Sequence, residues 1–279
     1  MHPILLDYHG MKVYSYGVMM IVGFFFVLWF CWKYAPKVKM DRSDAIDMTI
    51  YTFVFGILGA RFIYILLNWG EYAGHMERMF EFQKGGLSWH GGILGGIGAT
   101  LIFCYIKKYN IWKGLDLITT PSIAALAFGR VGCFLNGCCY GVTTNLPWAM
   151  VFPHHRHPVP VHPTQIYELI LDLILFAYLV IRWNKRRFNG EQSLLMLSYY
   201  SLIRFIVEFF RYNTPDQMVS GLSYAQWASL LFFAIFMGMA LLIGRKYSKL
   251  PPVEEREKDD NSKNKNTENS IDSALPEKS

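Results

Sequence analysis

The stretch GRVGCFLNGCCYG, residues 129–141, joins residue types that can do chemistry to residue types that free the backbone. It holds one arginine, Arg130, together with four glycines and three cysteines in thirteen positions. Such a set is compatible with a metal site, a redox site, a bend in a helix or a cradle for an anion. The other polar residues of the chain, and the elements that carry them, distinguish these four interpretations.

Arginines and other polar groups also interrupt apolar stretches elsewhere. Arg61 stands near the end of one such stretch. In another, polar residues at i, i+4, i+8 and i+11 share one face of a helix, and they are Tyr200, Arg204, Glu208 and Arg211. An ionisable group inside a membrane span costs about 2.5 to 3.5 kcal/mol on insertion scales, so each of these residues is a candidate functional residue.

The positive charge of these stretches exceeds their negative charge. Arg61, Arg130 and Arg204 face few carboxylates, chiefly Glu168 and Glu208. This surplus favours binding of an anion, and arginine is suited to bidentate contact with phosphate. The glycines around the central arginine let the backbone approach a ligand closely, and exposed N–H groups there would form an anion-binding nest. We therefore expect a phosphate, such as that of a phospholipid headgroup.

The cysteines of the same stretch allow two other interpretations. Cys133, Cys138 and Cys139 precede a group of histidines, and such a set binds zinc or copper in some proteins. The spacing is not a paired C-x-x-C, and neighbouring cysteines make a poor tetrahedral pair, so we expect no metal ion. A disulfide between Cys133 and Cys138 is the second alternative. Cys31 and Cys104 lie in apolar stretches, where we expect small apolar fillers. The histidines are His154, His155, His157 and His162.

The composition is that of a membrane protein. Of 279 residues, 53% are hydrophobic and 17% are charged, whereas a soluble domain carries about a quarter charged residues. From Glu254 onward, eight acidic and five basic residues occur with almost no large apolar ones. This segment contributes −3 to the net charge of +6 and leaves +9 for the rest. We expect a transmembrane domain over 1–250 and a disordered, acidic cytoplasmic tail over 251–279.

Seven apolar segments approach the length of about 20 residues that a helix needs to cross a bilayer. We therefore predict an all-α integral membrane protein with seven transmembrane helices. The second, third and fourth segments are interrupted by Gly, Pro or Arg. The segments are 14–34, 45–68, 90–106, 115–134, 165–183, 193–210 and 224–243.

The loops between these segments alternate in charge. The odd-numbered loops and the residues after the last span are rich in Lys and Arg, and the even-numbered loops are poor in them. Excess Lys and Arg marks the cytoplasmic side, so we predict an outward N-terminus and a cytoplasmic C-terminus. These loops also account for the basic charge, and we expect no nucleic acid partner. His90 and Tyr16 then open inward-running spans near the outer side, where Arg61, Arg130 and Arg204 also lie, which places these groups in one chamber.

Several stretches resemble the prolipoprotein diacylglyceryl transferase family, whose members are bacterial membrane enzymes that start lipoprotein maturation. The stretch 129–141 is one of them. Together the matching stretches extend over residues 14–243 and are specific for the family. The others, in the family's order, are YSYGVMMIVGF (14–24), GARFIYIL (59–66), LSWHGGILGG (87–96), HPTQIYE (162–168) and YSLIRFIVEFFR (200–211).

The resemblance implies a reaction, a fold and a place in the cell. The diacylglyceryl group of phosphatidylglycerol would move to the thiol of the lipobox cysteine of a prolipoprotein, giving a thioether and glycerol 1-phosphate. The family uses no metal ion and no soluble cofactor, and its fold has seven transmembrane helices and an outward N-terminus. The protein would be a multi-pass protein of the bacterial cell (inner) membrane, with its active site toward the outer leaflet.

The resemblance also implies roles for site residues. Arg130 matches the arginine that holds the phosphate of phosphatidylglycerol, and Arg204 matches a second essential arginine. His90 matches the histidine of a His-Gly-Gly motif. The remaining candidates are Tyr16, Tyr200 and Glu208 for catalysis, and Arg61, Asn136 and Gly141 for binding phosphatidylglycerol.

The chain departs from the commoner form of the family signature at two positions. Cys133 stands where the family commonly has Asn, and Cys138 stands where it commonly has Glu. Because a thiol does not replace a carboxylate, we expect Glu168 or Glu208 to cover part of the missing acid's role.

The implied reaction makes two chemical demands. The attacking thiol, with an ordinary pKa of about 8.5, must lose its proton, and the leaving phosphate must be stabilised as charge collects on it. Arg130 and Arg204 suit the second demand. His90 suits the first as a general base, because histidine titrates near neutral pH. Tyr16 or Tyr200 would orient the reacting groups.

Other interpretations stay open at the level of the sequence. An exposed cysteine could be the nucleophile of a membrane acyltransferase, and seven spans with an outward N-terminus also fit a transporter or a receptor. Transporters usually show internal repeats and midplane sites, whereas these polar groups gather near one face. Among the single residues, Arg61 could be structural, His90 could cap a helix, and Tyr16 could belong to an interfacial aromatic belt.

Overall fold

A computed structural model of the chain describes residues 4–8, 11–74, 76–80, 86–152, 159–211 and 218–257, and its long elements are all helices. Short 3-10 turns follow α1 and α6, at Ala35–Val38 and Trp183–Lys185, and a third covers Met76–Phe80. The helices are α1 (Ser15–Tyr34), α2 (Arg42–Leu67), α3 (Trp69–Tyr72), α4 (Trp89–Ile106), α5 (Ile111–Asn136), α6 (Thr164–Arg182), α7 (Glu191–Glu208) and α8 (Tyr224–Lys246).

Three small antiparallel ribbons connect or precede the helices. In the first ribbon, before α1, Ile4 pairs with Tyr14 and Asp7 with Lys12. The second lies between α5 and α6, and the third between α7 and α8. Their strands are β1 (Ile4–Tyr8), β2 (Met11–Tyr14), β3 (Met150–Val151), β4 (Pro160–Val161), β5 (Met218–Val219) and β6 (Leu222–Ser223).

Six helices of the described residues are long and apolar enough to cross a membrane: α1, α2, α4, α5, α6 and α8. The chain is therefore a mostly helical, multi-pass membrane protein, as the composition predicts. The predicted sixth span is present as α7, an 18-residue helix. It falls outside this set because it carries Glu191, Arg204 and Glu208. The count of seven spans and the orientation of the termini stay predictions.

The outer faces of several helices are covered with large apolar side chains. Phe25 on α1, Phe62 on α2, Ile102 on α4 and Leu242 on α8 are each about two-thirds exposed or slightly less. Soluble proteins rarely expose apolar faces of this extent. The arrangement fits contact with lipid.

Helix α5 lies at the centre of the bundle, where it packs against α1, α4, α6 and α7. Pro121 stands inside it and cannot donate the helical hydrogen bond to the carbonyl of Leu117. The buried thiol of Cys31 on α1 donates to that carbonyl over 3.5 Å. Cys31 is thus more than the apolar filler that we expect from the sequence, since it satisfies an acceptor that proline leaves open.

Helices α2 and α4 approach each other through glycines. A Cβ at Gly91 would lie 2.2 Å from the carbonyl oxygen of Gly59, and one at Gly95 would lie 2.2 Å from that of Phe55. Only glycine permits backbones to come this close. The glycines after His90 therefore pack two helices together.

The start of α7 is fixed by a side chain of α5. Asp116 is fully buried, and its carboxylate accepts hydrogen bonds from the backbone N–H groups of Gly190 at 2.8 Å and Ser193 at 2.9 Å. The hydroxyl of Ser193 donates to it as well, at 2.9 Å. These bonds satisfy donors that the first turn of a helix leaves unpaired. They fix α7 against α5, so that its polar face can meet that helix.

The predicted tail begins at residue 251, but its first part packs on the body. Residues 253–257 form a helical turn, and the backbone N–H of Val253 donates to the carbonyl of Arg186 over 2.9 Å. Val253 is buried, and Glu257 pairs with Lys113 at the start of α5. Residues 258–279 lie outside the described residues.

Candidate active site

Two arginines from different helices meet at one buried carboxylate. Arg130, in the last third of α5, donates through Nη2 to Oε1 of Glu168 on α6. Arg204 on α7 approaches the other oxygen of the same carboxylate, with Nη1 3.4 Å from Oε2. The side chain of Glu168 is almost fully buried, whereas those of Arg130 and Arg204 are 18% and 22% exposed. The two guanidinium groups therefore lie together and remain reachable from outside.

A second carboxylate extends this network along α7. Glu208 is also buried, and its Oε2 accepts from Nη2 of Arg204 at 2.9 Å. Arg211 lies 3.9 Å from the same oxygen through its Nε. Counting Arg130 and Glu168, the network holds three cations and two anions, which leaves one positive charge. Such a surplus suits a singly charged phosphodiester.

One acid of this region was missed from the sequence. Asp172 lies one turn after Glu168 on α6, is fully buried, and neither of its carboxylate oxygens has a hydrogen-bond partner among the described residues. It interacts electrostatically with Glu168, Arg130 and Arg204. An ionisable residue inside an apolar segment was the signal that could have found it, because the same criterion identified the arginines.

Two tyrosines border the arginine pair. Tyr200 lies one turn before Arg204 on the same face of α7 and interacts electrostatically with Arg130, Glu168 and Arg204. Tyr16, in the first turn of α1, packs on Gly132, where an added Cβ would lie 3.1 Å from its Cα. Both tyrosines predicted for the site thus lie beside the network.

The end of the signature stretch is clamped between α6 and α7. The N–H of Gly141 donates to the carbonyl of His162 at 2.8 Å, and that of Val142 donates to the carbonyl of Phe210 at 2.9 Å. A Cβ at Gly141 would lie 2.1 Å from the Phe210 oxygen. Position 141 therefore requires glycine. At this position the signature stretch connects α6, which carries Glu168, with α7, which carries Arg204.

Helix α5 ends at Asn136 and turns through Gly137, whose φ of 72° is left-handed. The N–H of Cys138 then donates to the carbonyl of Cys133 at 3.1 Å. The side chain of Asn136 is exposed and interacts with the Cys138 thiol. This turn folds the chain back toward the last turn of α5.

The turn gathers the three cysteines of the signature. Sulfur atoms of Cys133, Cys138 and Cys139 all lie within 4.8 Å of one another, and those of Cys138 and Cys139 are 3.6 Å apart. All are free thiols, so the predicted alternative of a disulfide between Cys133 and Cys138 is not formed. Hydrogen bonds from the Cys133 thiol and then from Cys139 hold the pKa of the Cys138 thiol below its usual range.

The histidines that follow in the sequence are not part of this group. The ring of His162 is hydrogen-bonded to the hydroxyl of Tyr167, with 3.1 Å between Nδ1 and Oη. The other three, His154, His155 and His157, lie outside the described residues.

His90 lies apart from the arginine pair. It is exposed in the first turn of α4, where its ring packs edge-on against Trp89 with 5.7 Å between centroids. Within the ranges that the structure describes, His90 makes no hydrogen bond and no ion pair. No contact in the structure therefore tests the prediction that His90 acts as a base.

Arg61 binds a loop. It is buried on α2, and its guanidinium donates to three backbone carbonyls of the segment before α4. The acceptors are Arg78 at 2.7 Å, Met79 at 2.9 Å and Gly86 at 3.1 Å. These contacts fit a structural role for Arg61, which the sequence left open as the alternative to a role in binding.

A cavity of about 510 Å³ lies at the other end of α5. Trp112, Gly190 and Tyr247 are among its lining residues, and no predicted site residue is. The chemistry-bearing groups instead surround the C-terminal end of α5.

Comparison with known proteins identifies the family. Residues 3–243 match the family model described as prolipoprotein diacylglyceryl transferase. The match covers every helix from α1 to α7 and nearly all of α8. The chain belongs to the prolipoprotein diacylglyceryl transferase family. This membership makes it a transferase and confirms the resemblance drawn from the sequence stretches.

Individual relatives match this chain over most of their length. The chain is 34% identical over 222 residues to the phosphatidylglycerol–prolipoprotein diacylglyceryl transferase of Clostridioides difficile, covering 80% of this chain and 87% of that protein. It is 35% identical over 243 residues to the enzyme of that name from Clostridium tetani, covering 86% and 96%. A third relative of that name, from Methylibium petroleiphilum, is 33% identical over 257 residues, covering 88% and 97%.

Proposed function

We propose that this protein transfers the diacylglyceryl group of phosphatidylglycerol to the lipobox cysteine thiol of prolipoproteins. The products are a thioether and glycerol 1-phosphate. Family membership supports the reaction class, and the observation that carries the site is the meeting of Arg130 and Arg204 at Glu168. The substrate pair is the one that the relatives' names state.

The paired arginines suit the departure of a phosphate. When the bond between the glycerol carbon and the phosphate oxygen breaks, negative charge collects on that oxygen, and fixed cations stabilise it most where water is scarce. Glu168 holds the two guanidinium groups at one spacing. Each guanidinium has five N–H donors, so donors remain for the phosphodiester. Glu168 therefore orients the arginines, and the lipid phosphate binds beside it.

The remaining site residues have proposed roles around this pair. Tyr16 and Tyr200 orient the reacting groups, Glu208 positions Arg204, and Gly141 with Asn136 belongs to the phosphatidylglycerol site. His90 acts as a base for the thiol, reaching it from the exposed first turn of α4. Arg61 supports the phosphatidylglycerol site through the loop that it binds.

We propose seven spans, with α7 as the sixth, an outward N-terminus and a cytoplasmic C-terminus. Residues 1–250 form the catalytic domain, and residues 251–279 are the cytoplasmic tail. Lys107 and Lys113 flank the start of α5, and Arg130 lies near its other end. If basic loops are cytoplasmic, the arginine pair lies near the outer leaflet of the bacterial inner membrane.

Mass spectrometry of a lipobox peptide tests the function. The detergent-purified protein is incubated with the peptide and phosphatidylglycerol, and the peptide should gain the mass of glycerol with two acyl chains. A peptide with Ser in place of its Cys is the matched control and should gain nothing. An unchanged Cys peptide, with folded protein present, would contradict the proposal.

The same product separates transfer of diacylglycerol from the acyltransferase alternative. An acyltransferase would add one acyl chain as a thioester, which hydroxylamine cleaves. The thioether proposed here withstands hydroxylamine and carries two acyl chains.

A further inference from the structure

We propose that Arg61 is a positioning residue for His90, because it fixes the segment that leads into the first turn of α4. The inference rests on the proposed function, in which His90 takes the proton of the lipobox thiol. Such a base must be held in place, since an error of about 1 Å can cost roughly 100-fold in rate. Arg61 itself is buried on α2, so it acts through the segment that it binds.

One side chain fastens the long connection between α2 and α4 at two points. Nη2 of the Arg61 guanidinium donates to the carbonyl of Arg78, and Nε donates to that of Met79, both in the 3-10 turn. Nη1 donates to the carbonyl of Gly86, just before α4. Loops are usually the mobile parts of a fold. Here a planar group with fixed donor directions holds the loop against α2.

The contact between the guanidinium and the segment before α4 requires glycine. Gly86 has a φ of 79°, in the left-handed region. A Cβ there would lie 2.7 Å from Nη1 of Arg61 and 2.6 Å from the ring of Tyr64. The guanidinium therefore lies directly against the backbone of the segment.

Residues 59–61 of α2 hold the chain on both sides of His90. The carbonyl of Ala60 accepts from the backbone N–H of Ser88 at 2.9 Å. A Cβ at Gly91 would lie 2.2 Å from the carbonyl oxygen of residue 59, so the two backbones touch there. Together with the bonds of the arginine, these contacts fix the backbone two residues before His90 and one residue after it.

The position of the His90 ring follows from this backbone. The ring is exposed and packs on Trp89 at the surface. In the part of the chain that the structure describes, Ser88 precedes α4 without a side-chain capping bond. The first turn of α4 thus depends on its contacts with α2 rather than on a cap of its own.

Direct contact of Arg61 with the lipid phosphate is the alternative. All three of its guanidinium nitrogens donate to backbone carbonyls, and the residue is 5% exposed. The side chains of Arg130 and Arg204 are 18% and 22% exposed and lie together. A phosphodiester therefore reaches the arginine pair without breaking the bonds of the loop. Lipid binding and the position of the base should respond separately to substitution.

Kinetics and lipid binding separate the two roles. Arg61→Lys keeps the charge, but one ammonium cannot replace the planar set of donors. We expect kcat for transfer to a lipobox peptide to fall about 10- to 100-fold, because the base is displaced. The Kd of phosphatidylglycerol should rise by no more than about threefold, because the arginine pair is left in place. A Kd that rises as far as in Arg130→Lys, or an unchanged kcat in folded Arg61→Lys, would overturn the proposal.

A double-mutant cycle tests whether Arg61 acts through His90. In His90→Gln the base is absent, so adding Arg61→Lys should lower kcat by less than about twofold. Long incubations with detection of the lipidated peptide by mass spectrometry measure the residual rates. Effects of the two substitutions that multiply would place the action of Arg61 elsewhere and overturn the proposal.

Hydrogen exchange tests the attachment of the segment without relying on activity. In Arg61→Lys, the amides of residues 86–92 should exchange faster than in the wild type, because the bonds that hold them are lost. Arg182→Lys, at the other end of the bundle, is the matched control and should exchange as the wild type does. Gly86→Ala pushes the segment off the guanidinium and should show the same faster exchange, which keeps the test valid if Arg61→Lys does not fold. Unchanged exchange at 86–92 would contradict the attachment.

The failure of this inference and that of the proposed function are distinguishable. A wild-type protein that transfers no lipid would refute the proposed function and, with it, the role of Arg61 in transfer. Transfer by the wild type that Arg61→Lys does not slow would refute the inference alone. Faster exchange at 86–92 with no loss of rate would make Arg61 a structural residue only.

Discussion

At the scale of single residues, Glu168 organises the site. One buried carboxylate contacts Arg130 on α5 and Arg204 on α7, so two helices depend on its charge. Removing one partner of a buried ion pair leaves an uncompensated charge and costs about 3 to 5 kcal/mol. The nearby Asp172 is the opposite case, because neither of its oxygens has a partner among the described residues. The two acids of α6 should therefore respond differently to loss of charge.

We predict that Asp172→Asn leaves the melting temperature nearly unchanged. The amide has the same shape, and burial without a partner disfavours a charge at this position. The shift should stay within about 4 °C, equivalent to roughly 1 kcal/mol. Thermal unfolding in detergent, followed by tryptophan fluorescence, measures it.

Glu168→Gln is the matched comparison for this prediction, and it should lower the melting temperature by clearly more. Equal destabilisation by Asp172→Asn and Glu168→Gln would show that Asp172 is a paired carboxylate.

At the scale of elements, the turn after α5 joins the helices of the site. The N–H of Gly141 ties this turn to the start of α6, and the N–H of Val142 ties it to the end of α7. Gly141 itself lies against the carbonyl of Phe210. A side chain at position 141 has to push these elements apart. The positions of Arg130, Glu168 and Arg204 then change together.

We predict that Gly141→Ala destabilises the protein by about 1 to 3 kcal/mol, as overpacked sites do. Lipid transfer should fall with it, because the arginine pair loses its spacing. Gly238→Ala on α8 is the control, since an added Cβ there meets nothing within 4 Å. Helix propensity should make that variant equally or slightly more stable. Equal melting temperatures for the two variants would contradict the clamp at Gly141.

The sequence predicted the positions of the helices better than it predicted the contacts between distant segments. Apolar length located every long helix, and the spacing from Tyr200 to Arg211 identified the polar face of α7. It missed the N-terminal ribbon, whose strands are too short for a clear alternation. Contacts between distant segments, such as the carbonyls bound by Arg61, depend on loop paths that periodicity does not encode.

The cysteines show the same limit at closer range. Their adjacency in the sequence argued against a common ligand site. The structure nevertheless brings the three sulfur atoms within 4.8 Å of one another, and the left-handed φ of Cys139 at this turn is not readable from residue types.

At the scale of the whole molecule, two polar ends are separated by an apolar bundle. One end carries the arginine network and the thiols, and the other carries Lys107, Lys113 and residues 251–257. Val253 is buried at that second end, which joins the first part of the predicted tail to the body. The stability of the bundle should therefore depend on where the chain is truncated.

We predict that truncation after Glu257 leaves the melting temperature unchanged. Truncation after Leu250 should lower it, because burial of a valine contributes about 1.5 kcal/mol or more and the pair of Lys113 with Glu257 is lost. Transfer per folded molecule should be the same in both, since the site lies at the other end. A loss of transfer by folded protein truncated after Leu250 would contradict this separation.

The most direct test of the central claim is the dissociation constant of phosphatidylglycerol, measured by native mass spectrometry. Arg130→Lys keeps the charge but removes the planar pair of donors, so we predict binding about 10- to 100-fold weaker than in the wild type. Arg182→Lys, whose arginine pairs with Glu191 at the other end of the bundle, should bind as the wild type does. Unchanged binding by Arg130→Lys would contradict the claim that this arginine grips the lipid phosphate.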